Sequence, residues 1–69
     1  MTPNELEEKR ELSEAVKNLS LAMEYTANLV NTVYGENSAS NGLRVMSIEV
    51  LNIHNEIEQE ILTKIESYE

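Results

Sequence analysis

Apolar residues recur through the first half of the chain at steps of three and four, the spacing of one face of an α-helix. The pattern runs over positions 12–33, and no Gly or Pro interrupts residues 4–34. The stripe consists of Leu12, Ala15, Val16, Leu19, Ala22, Met23, Thr26, Leu29, Val30 and Val33. We therefore expect one long helix over about residues 3–34, with this stripe in the core.

Start and stop signals bracket this first helix. Thr2 followed by Pro3 fits a capping box, with Thr2 as N-cap and Pro3 at the first helical position. Gly35 is the residue type that most readily takes the left-handed conformation at a helix end. We expect the helix to stop there.

A second helix is predicted after a turn-rich loop. We expect the loop over residues 35–41 and the helix over about 40–68, with Ser38 or Ser40 as its cap. Because a short loop between long helices favours antiparallel packing, the predicted fold is all-α, a two-helix antiparallel hairpin in a single domain over residues 1–69. The main apolar stripe of helix 2 is Leu43, Met46, Val50, Ile53, Ile57, Ile61, Ile65 and Tyr68.

Helix 2 carries more apolar residues than one partner helix can cover. Val45, Ile48 and Leu51 lie off its main stripe, and such surplus apolar surface indicates a further partner. A chain of 69 residues without cysteine also lacks disulfides as a source of stability. We therefore expect the chain to pair with itself, as a dimer that forms a four-helix bundle or as a larger helical oligomer.

The charge is acidic and unevenly distributed. Thirteen acidic residues oppose five basic ones, for a net charge of -8, and residues 18–55 hold only four charged side chains. Charge depletion is typical of interface cores, and Tyr25 projects near this charge-poor half, so we add it to Val45, Ile48 and Leu51 as predicted interface residues. The negative charge argues against binding to nucleic acid or to an anionic membrane surface.

The remaining composition sets the expected compartment. No apolar run approaches the length of a membrane span, and the first residues lack the basic start and apolar core of a signal peptide. The absence of cysteine fits a reducing environment, so we expect a cytoplasmic protein. With no cysteine and one histidine, no metal or other cofactor is expected.

His54 is the one candidate general base. It lies beside the main stripe of helix 2, where a histidine tucked against the helix pair is the simpler interpretation. His54 and Glu58 have i,i+4 spacing, but the chain lacks the Glu-x-x-His motif of helix-bundle metal sites. We predict no catalytic residue and no metal ligand.

Arg44 is the only cation between Lys17 and Lys64, and it lies near the expected start of helix 2. Backbone N–H groups at that start, together with Arg44, offer a site for an anion or a phosphate. A local ion pair, either with Glu36 or with a neighbour's glutamate, is the alternative interpretation. Arg44 and His54 are therefore the two candidate ligand-binding residues.

These patterns predict a small acidic, non-enzymatic protein-interaction module. It would act as a regulator, inhibitor or co-chaperone through a helix face of a homo-oligomeric hairpin, with itself and another protein as partners. The alternative is a helical oligomer that binds a small ligand or a nucleotide through Arg44 and the loop end, in the manner of phage proteins that sequester nucleotides.

Overall fold

Two long helices joined by a short connection make up the described part of the chain. A computed structural model describes residues 2–66, in which α1 spans Pro3–Tyr34, α2 spans Ser38–Glu66 and no strand is present. The Cα atoms fill a rod with extents of 52 × 16 × 12 Å. The all-α prediction with two helices is confirmed, and the predicted end of helix 2 at residue 68 lies outside the described residues.

Side-chain contacts show that the two helices run antiparallel. Ser13 of α1 contacts His54 of α2, and Ser20, seven residues later, contacts Ser47. Residue numbers therefore rise along one helix as they fall along the other, which is the arrangement of a helical hairpin. The connection, residues 35–37, is short enough to keep the two helices adjacent.

The ends of α1 follow from the residues that flank it. The Thr2 hydroxyl accepts a hydrogen bond from the Glu5 N–H at 3.2 Å, and Pro3 opens the helix. At the other end Gly35 has a φ of 78°, and its N–H donates to the Asn31 carbonyl at 2.9 Å. A side chain at this φ is strained, so glycine allows the chain to leave the helix here. The predicted cap and stop are both confirmed.

The start of α2 differs from the prediction. The helix begins at Ser38, and Asn37 is its N-cap, because the Asn37 side-chain oxygen accepts from the Ser40 N–H at 2.9 Å. In return the Ser40 hydroxyl accepts from the Asn37 N–H at 3.2 Å. The two residues form a reciprocal capping box, with serine in the place more often held by glutamate. The loop predicted over residues 35–41 is therefore shorter, and neither predicted serine is the N-cap.

Small residues, rather than large apolar ones, form most of the contact between the helices. They repeat at seven-residue steps along each helix, so each set lies on one side of its helix. Small side chains let two helices approach closely, and the buried side-chain polar atoms of the described residues all have hydrogen-bond partners. The buried residues, which we call the inner line, are Ser13, Ser20, Ala27, Ser40, Ser47 and Ile61.

This contact corrects the predicted core. Leu12, Leu19 and Val33 were expected inside, but 53%, 49% and 68% of their surface is exposed. Leu12 and Leu19 each precede an inner-line residue by one position, and one residue turns a helix by about 100°. They consequently point away from α2. Met46 and Ile53 of α2 are about half exposed in the same way.

An ion pair links the two helices near the chain termini. The Lys9 ammonium of α1 contacts the Glu60 carboxylate of α2. The hydrogen bond from Lys9 and its positive charge hold the pKa of Glu60 below the ordinary value of 4.5, with a smaller contribution from the charge of Lys64. Both paired side chains are partly open to solvent, so the pair sets the helix register more than it stabilises the fold.

Replacement of the two glycines should change stability in opposite directions. Gly35→Ala places a side chain at φ 78° and should lower the free energy of unfolding by about 1 kcal/mol. Gly42→Ala is the matched control, because Gly42 has an ordinary helical φ and an added Cβ meets nothing within 4 Å. It should raise the free energy of unfolding by up to about 1 kcal/mol. Urea unfolding followed by circular dichroism measures both, and equal effects would contradict this account of the turn.

Removal of the Lys9 charge should raise the pKa of Glu60. Because the pKa is lowered in the folded chain, the pair stabilises the fold above pH 4.5 and loses that effect as the pH falls through the lowered value. In Lys9→Met we expect the pKa to return towards 4.5, measured by carboxyl-carbon NMR titration. Lys17→Met is the control and should leave the Glu60 titration unchanged. An unmoved pKa in Lys9→Met would mean that the pair does not form in solution.

Candidate functional site

A groove of about 370 Å³ lies along one side of the hairpin, between α1 and α2. It is lined in part by the predicted residues Arg44, Ile48 and Leu51. Apolar and charged side chains line it together. The lining residues are Ser20, Glu24 and Asn28 of α1 and Arg44, Ser47, Ile48 and Leu51 of α2. We call it the Arg44 groove.

Arg44 is held across the groove by the facing helix. Its Nη2 donates to the Asn28 side-chain oxygen at 3.2 Å. The predicted pairing with Glu36 is not found, because α2 starts earlier than expected and Arg44 lies in its second turn, facing α1. A guanidinium has five N–H donors, so this one bond leaves others for a bound molecule.

The floor of the groove has no spare hydroxyl groups. The Ser20 hydroxyl donates to the Ser47 carbonyl at 2.8 Å, and the Ser47 hydroxyl donates to the Arg44 carbonyl at 2.7 Å. Both donors are therefore used within the hairpin. The groups left to contact a bound molecule are the Arg44 guanidinium, the Glu24 carboxylate, the side-chain NH2 of Asn28 and the two apolar side chains.

The electrostatics of the groove do not favour an anion. The carboxylate of Glu24 lines the same groove as Arg44, and the chain as a whole has a net charge of -8. Both repel a phosphate or a free carboxylate. A surface with one positive group, one negative group and an apolar edge is better matched by the mixed surface of a protein.

A second polar cluster joins Ser13 of α1 to His54 and Glu58 of α2. The ring Nδ1 of His54 lies 2.8 Å from the Ser13 hydroxyl oxygen and 2.9 Å from the Ser13 carbonyl oxygen. The Ser13 hydroxyl in turn donates to the Glu58 carboxylate. Ser13 is fully buried, His54 is half-buried and Glu58 is exposed, so this cluster runs from the helix contact out to the surface. The expectation of a histidine tucked against the helix pair agrees with this geometry.

The direction of these hydrogen bonds opposes a catalytic use of the cluster. A carbonyl oxygen can only accept, so Nδ1 of His54 carries a proton and donates it. A serine nucleophile needs the reverse, with the histidine accepting the hydroxyl proton and the serine open to substrate. Here the Ser13 hydroxyl proton goes to Glu58. The cluster fixes the register of the two helices.

The predicted site residues do not come together in one place. Ile48 and Leu51 line the Arg44 groove, with 59% and 42% of their surface exposed. Val45 and Tyr25 are exposed as well but do not line it. His54 belongs to the cluster with Ser13, so the two predicted ligand-binding residues, Arg44 and His54, occupy separate sites.

Sequence reasoning missed the α1 side of both sites. Glu24 and Asn28 give no motif, because their roles depend on which side of α1 faces α2. The seven-residue steps between Ser13, Ser20 and Ala27 were the available signal. The stripe of larger apolar residues, which begins one residue earlier at Leu12, has the same spacing and was taken as the core instead.

Among the residues that the structure describes, no group of three or more acidic or histidine side chains is placed to hold a metal ion. No helix within the same residues is long and apolar enough to cross a bilayer.

Removal of the Ser13 hydroxyl should weaken the helix contact. Ser13→Ala removes the buried hydroxyl that hydrogen-bonds to His54 and Glu58. It should lower the free energy of unfolding by about 1 kcal/mol. Asn18→Ala is the control, since Asn18 is exposed on the same helix and alanine has the higher helix propensity. Chemical denaturation measures both. An unchanged stability in Ser13→Ala would show that the hydroxyl does not contribute to the contact.

No family model, curated protein or solved structure matches the chain.

Proposed function

We propose that this chain is a small acidic, non-enzymatic protein-interaction module, a regulator, inhibitor or co-chaperone that works as a homo-oligomeric hairpin. It docks a partner protein on the side of α2 that borders the Arg44 groove. The observation that carries the proposal is the exposure of Ile48 and Leu51 next to Arg44 and Glu24. Val45 extends the exposed apolar surface of α2 beyond the groove.

The mixture of groups supports a protein as the partner. Exposed apolar side chains provide the free energy of docking, since their burial contributes about 25 cal/mol per Å². Arg44 and Glu24 sit beside them and select a partner with the complementary charges in the matching places. A helix lying in a groove of this kind would present apolar anchors at helical spacing.

The non-enzymatic part of the proposal rests on the Ser13 cluster. Its hydroxyl is fully buried, and its proton is directed to Glu58 rather than to the histidine. His54 donates from Nδ1 to the Ser13 backbone. This set of bonds supports a structural role for the residues that most resemble a catalytic group.

Nucleotide or small-ligand binding at Arg44 is the competing proposal. The remaining donors of the guanidinium support it, and the carboxylate of Glu24 in the same groove counts against it. A thermal-shift screen with nucleotides separates the two proposals. A shift that is lost in Arg44→Ala would favour the ligand over the protein partner.

A charge introduced into the groove edge should abolish capture of the partner. We expect Ile48→Glu to lose the proteins that the parent chain retains on an affinity column, because a buried unpaired carboxylate costs several kcal/mol. Quantitative mass spectrometry of the captured proteins measures the loss.

Leu62→Glu is the matched control for this experiment. Leu62 is also on α2 and 49% exposed, but it does not line the groove. We expect it to capture the same proteins as the parent chain. If Ile48→Glu and Leu62→Glu give the same profile as the parent chain, the groove is not the docking site.

A further inference from the structure

Many of the large apolar residues flank the helix contact and follow two heptad lines, one on each helix. In α1 the line has steps of four and three residues, and in α2 steps of three and four. Such spacing is the pattern of a coiled-coil core. The residues, which we call the apolar face, are Leu12, Val16, Leu19, Met23, Thr26, Val30 and Val33 of α1 and Leu43, Met46, Val50, Ile53 and Ile57 of α2.

Seven-residue steps place both lines on the same side of the hairpin. Lys9 precedes Val16 by seven residues, and Glu60 follows Ile53 by seven, so each charged residue lies in a row of the apolar face. Because Lys9 contacts Glu60, the two rows are neighbours. The apolar face is therefore one continuous surface across both helices.

The Arg44 groove lies on the opposite side. Glu58 follows Leu51 by seven residues and Arg44 precedes it by seven, so these three share one row of α2. This row meets α1 at Ser13 and Asn28. The apolar face and the Arg44 groove are therefore separated by the inner line, and one can be covered while the other stays open.

The hairpin does not bury the apolar face by itself. Leu12 and Leu19 of α1 and Met46 and Ile53 of α2 have between 49% and 53% of their surface exposed. The rows nearer the inner line are only partly buried. The rows carry no charged residue between the Lys9–Glu60 pair and the connection at residues 35–37.

The apolar face is large enough to supply most of a dimer interface. It runs about 32 Å along α1 from Leu12 to Val33 at 1.5 Å per residue, and with the 16 Å width of the rod it covers roughly 500 Å² in projection. Projecting side chains give a face more accessible surface than its projection, and standard stable interfaces bury about 600–1,000 Å² of accessible surface on each partner. Two such sides, packed together, would give each helix one neighbour within the hairpin and a second across the interface, as in a four-helix bundle.

A second copy of the chain fits this side better than an unrelated partner. Both helices carry heptad lines, and two identical heptad surfaces interdigitate around a twofold axis without any further complementarity. The one polar residue on the apolar face, Thr26, bonds its own helix, since its hydroxyl donates to the Ala22 carbonyl at 2.7 Å. It therefore brings no unpaired donor into the interface.

The charge distribution selects the relative direction of the two copies. Among the described residues, 5–17 and 56–65 lie at one end of the antiparallel hairpin and carry eight Glu against four cations, so this end holds -4 of the total -8. If the acidic ends met, two such charges would lie about one helix spacing apart, roughly 10 Å. Opposed copies place the middles of the two acidic blocks roughly 35 Å apart, because each lies about 11 residues from the middle of the apolar face at 1.5 Å per residue, which is well beyond the Debye length of about 8 Å.

We infer that two hairpins pack apolar face to apolar face with their acidic ends at opposite ends of the dimer. The twofold axis is then perpendicular to the rod, and α1 packs antiparallel on α1 of the second copy. This inference specifies the self-association on which the proposed function rests. It also leaves the Arg44 groove of each copy open on the outside.

Paired leucine variants test the face. Leu19→Glu places a charge on the apolar face, and Leu21→Glu places one on another side of the same helix at nearly equal exposure, 49% against 53%. Sedimentation velocity at micromolar concentration should give twice the 7.8 kDa chain mass for Leu21→Glu. Leu19→Glu should give the single chain mass, or lose its helical circular dichroism while Leu21→Glu keeps it.

The corresponding isoleucine pair tests the α2 part and separates this inference from the proposed function. Ile53→Glu should break the dimer, and Ile48→Glu should keep it while losing the partner protein. A parent chain that sediments as a folded monomer, or leucine variants that behave alike, would overturn the inference. Loss of partner capture in Ile48→Glu with the dimer intact would leave both proposals standing, and unchanged capture would remove only the proposed function.

A single label tests the orientation, because the chain has no cysteine. Glu36→Cys carries a spin label at the connection, and electron double resonance measures the distance between the labels of two copies. Opposed copies with superposed apolar faces predict a distance of about 40 Å, because position 36 lies roughly 20 Å beyond the middle of the face in each copy. Copies with their acidic ends together predict about two helix diameters, roughly 20 Å, which would overturn the orientation. An excess of unlabelled chain should remove the signal if the distance is between copies.

Discussion

The close approach of two helices through serine and alanine determines the rest of this structure. Ser13, Ser20 and Ala27 face a matching line on α2, so the helices meet where their side chains are smallest. Each buried hydroxyl finds a partner, which removes the cost of burying it. The contact specifies register well but buries little apolar area. Large side chains are left on the flanks, and these flanks hold the surfaces available for binding.

This division explains which features the sequence could predict. Helix periodicity, Thr2 at the start and Gly35 at the end are local properties, and they gave the two helices and the end of α1 correctly. The start of α2 was wrong because Asn37 and Ser40 cap each other, a pairing that depends on which serine takes the third helical position. Local patterns therefore predicted both helices and the two ends of α1, but not the first residue of α2.

The side of each helix that faces its neighbour was harder to predict. The usual assumption places the largest apolar stripe inside, and Leu12 and Leu19 contradict it. The same periodicity arises when small residues pack within the molecule and large residues pack between molecules. The two stripes then differ only by a shift of one residue along the helix. The partners of His54 and Arg44 depend on which side of α1 faces α2. The pattern of one helix alone therefore could not predict Ser13 and Asn28 as those partners.

Because the helix contact is small, the stability of the fold depends on protein concentration. In the described residues only Ala27 and Ile61 are buried apolar side chains, and full burial of one large apolar side chain contributes only about 1.5–3 kcal/mol. A chain that covers the exposed leucines and isoleucines binds the folded hairpin. Its binding therefore raises the free energy of unfolding by mass action. The fraction of folded hairpins then rises and falls with the concentration of that covering chain. The concentration of the chain therefore controls how much of the protein is folded.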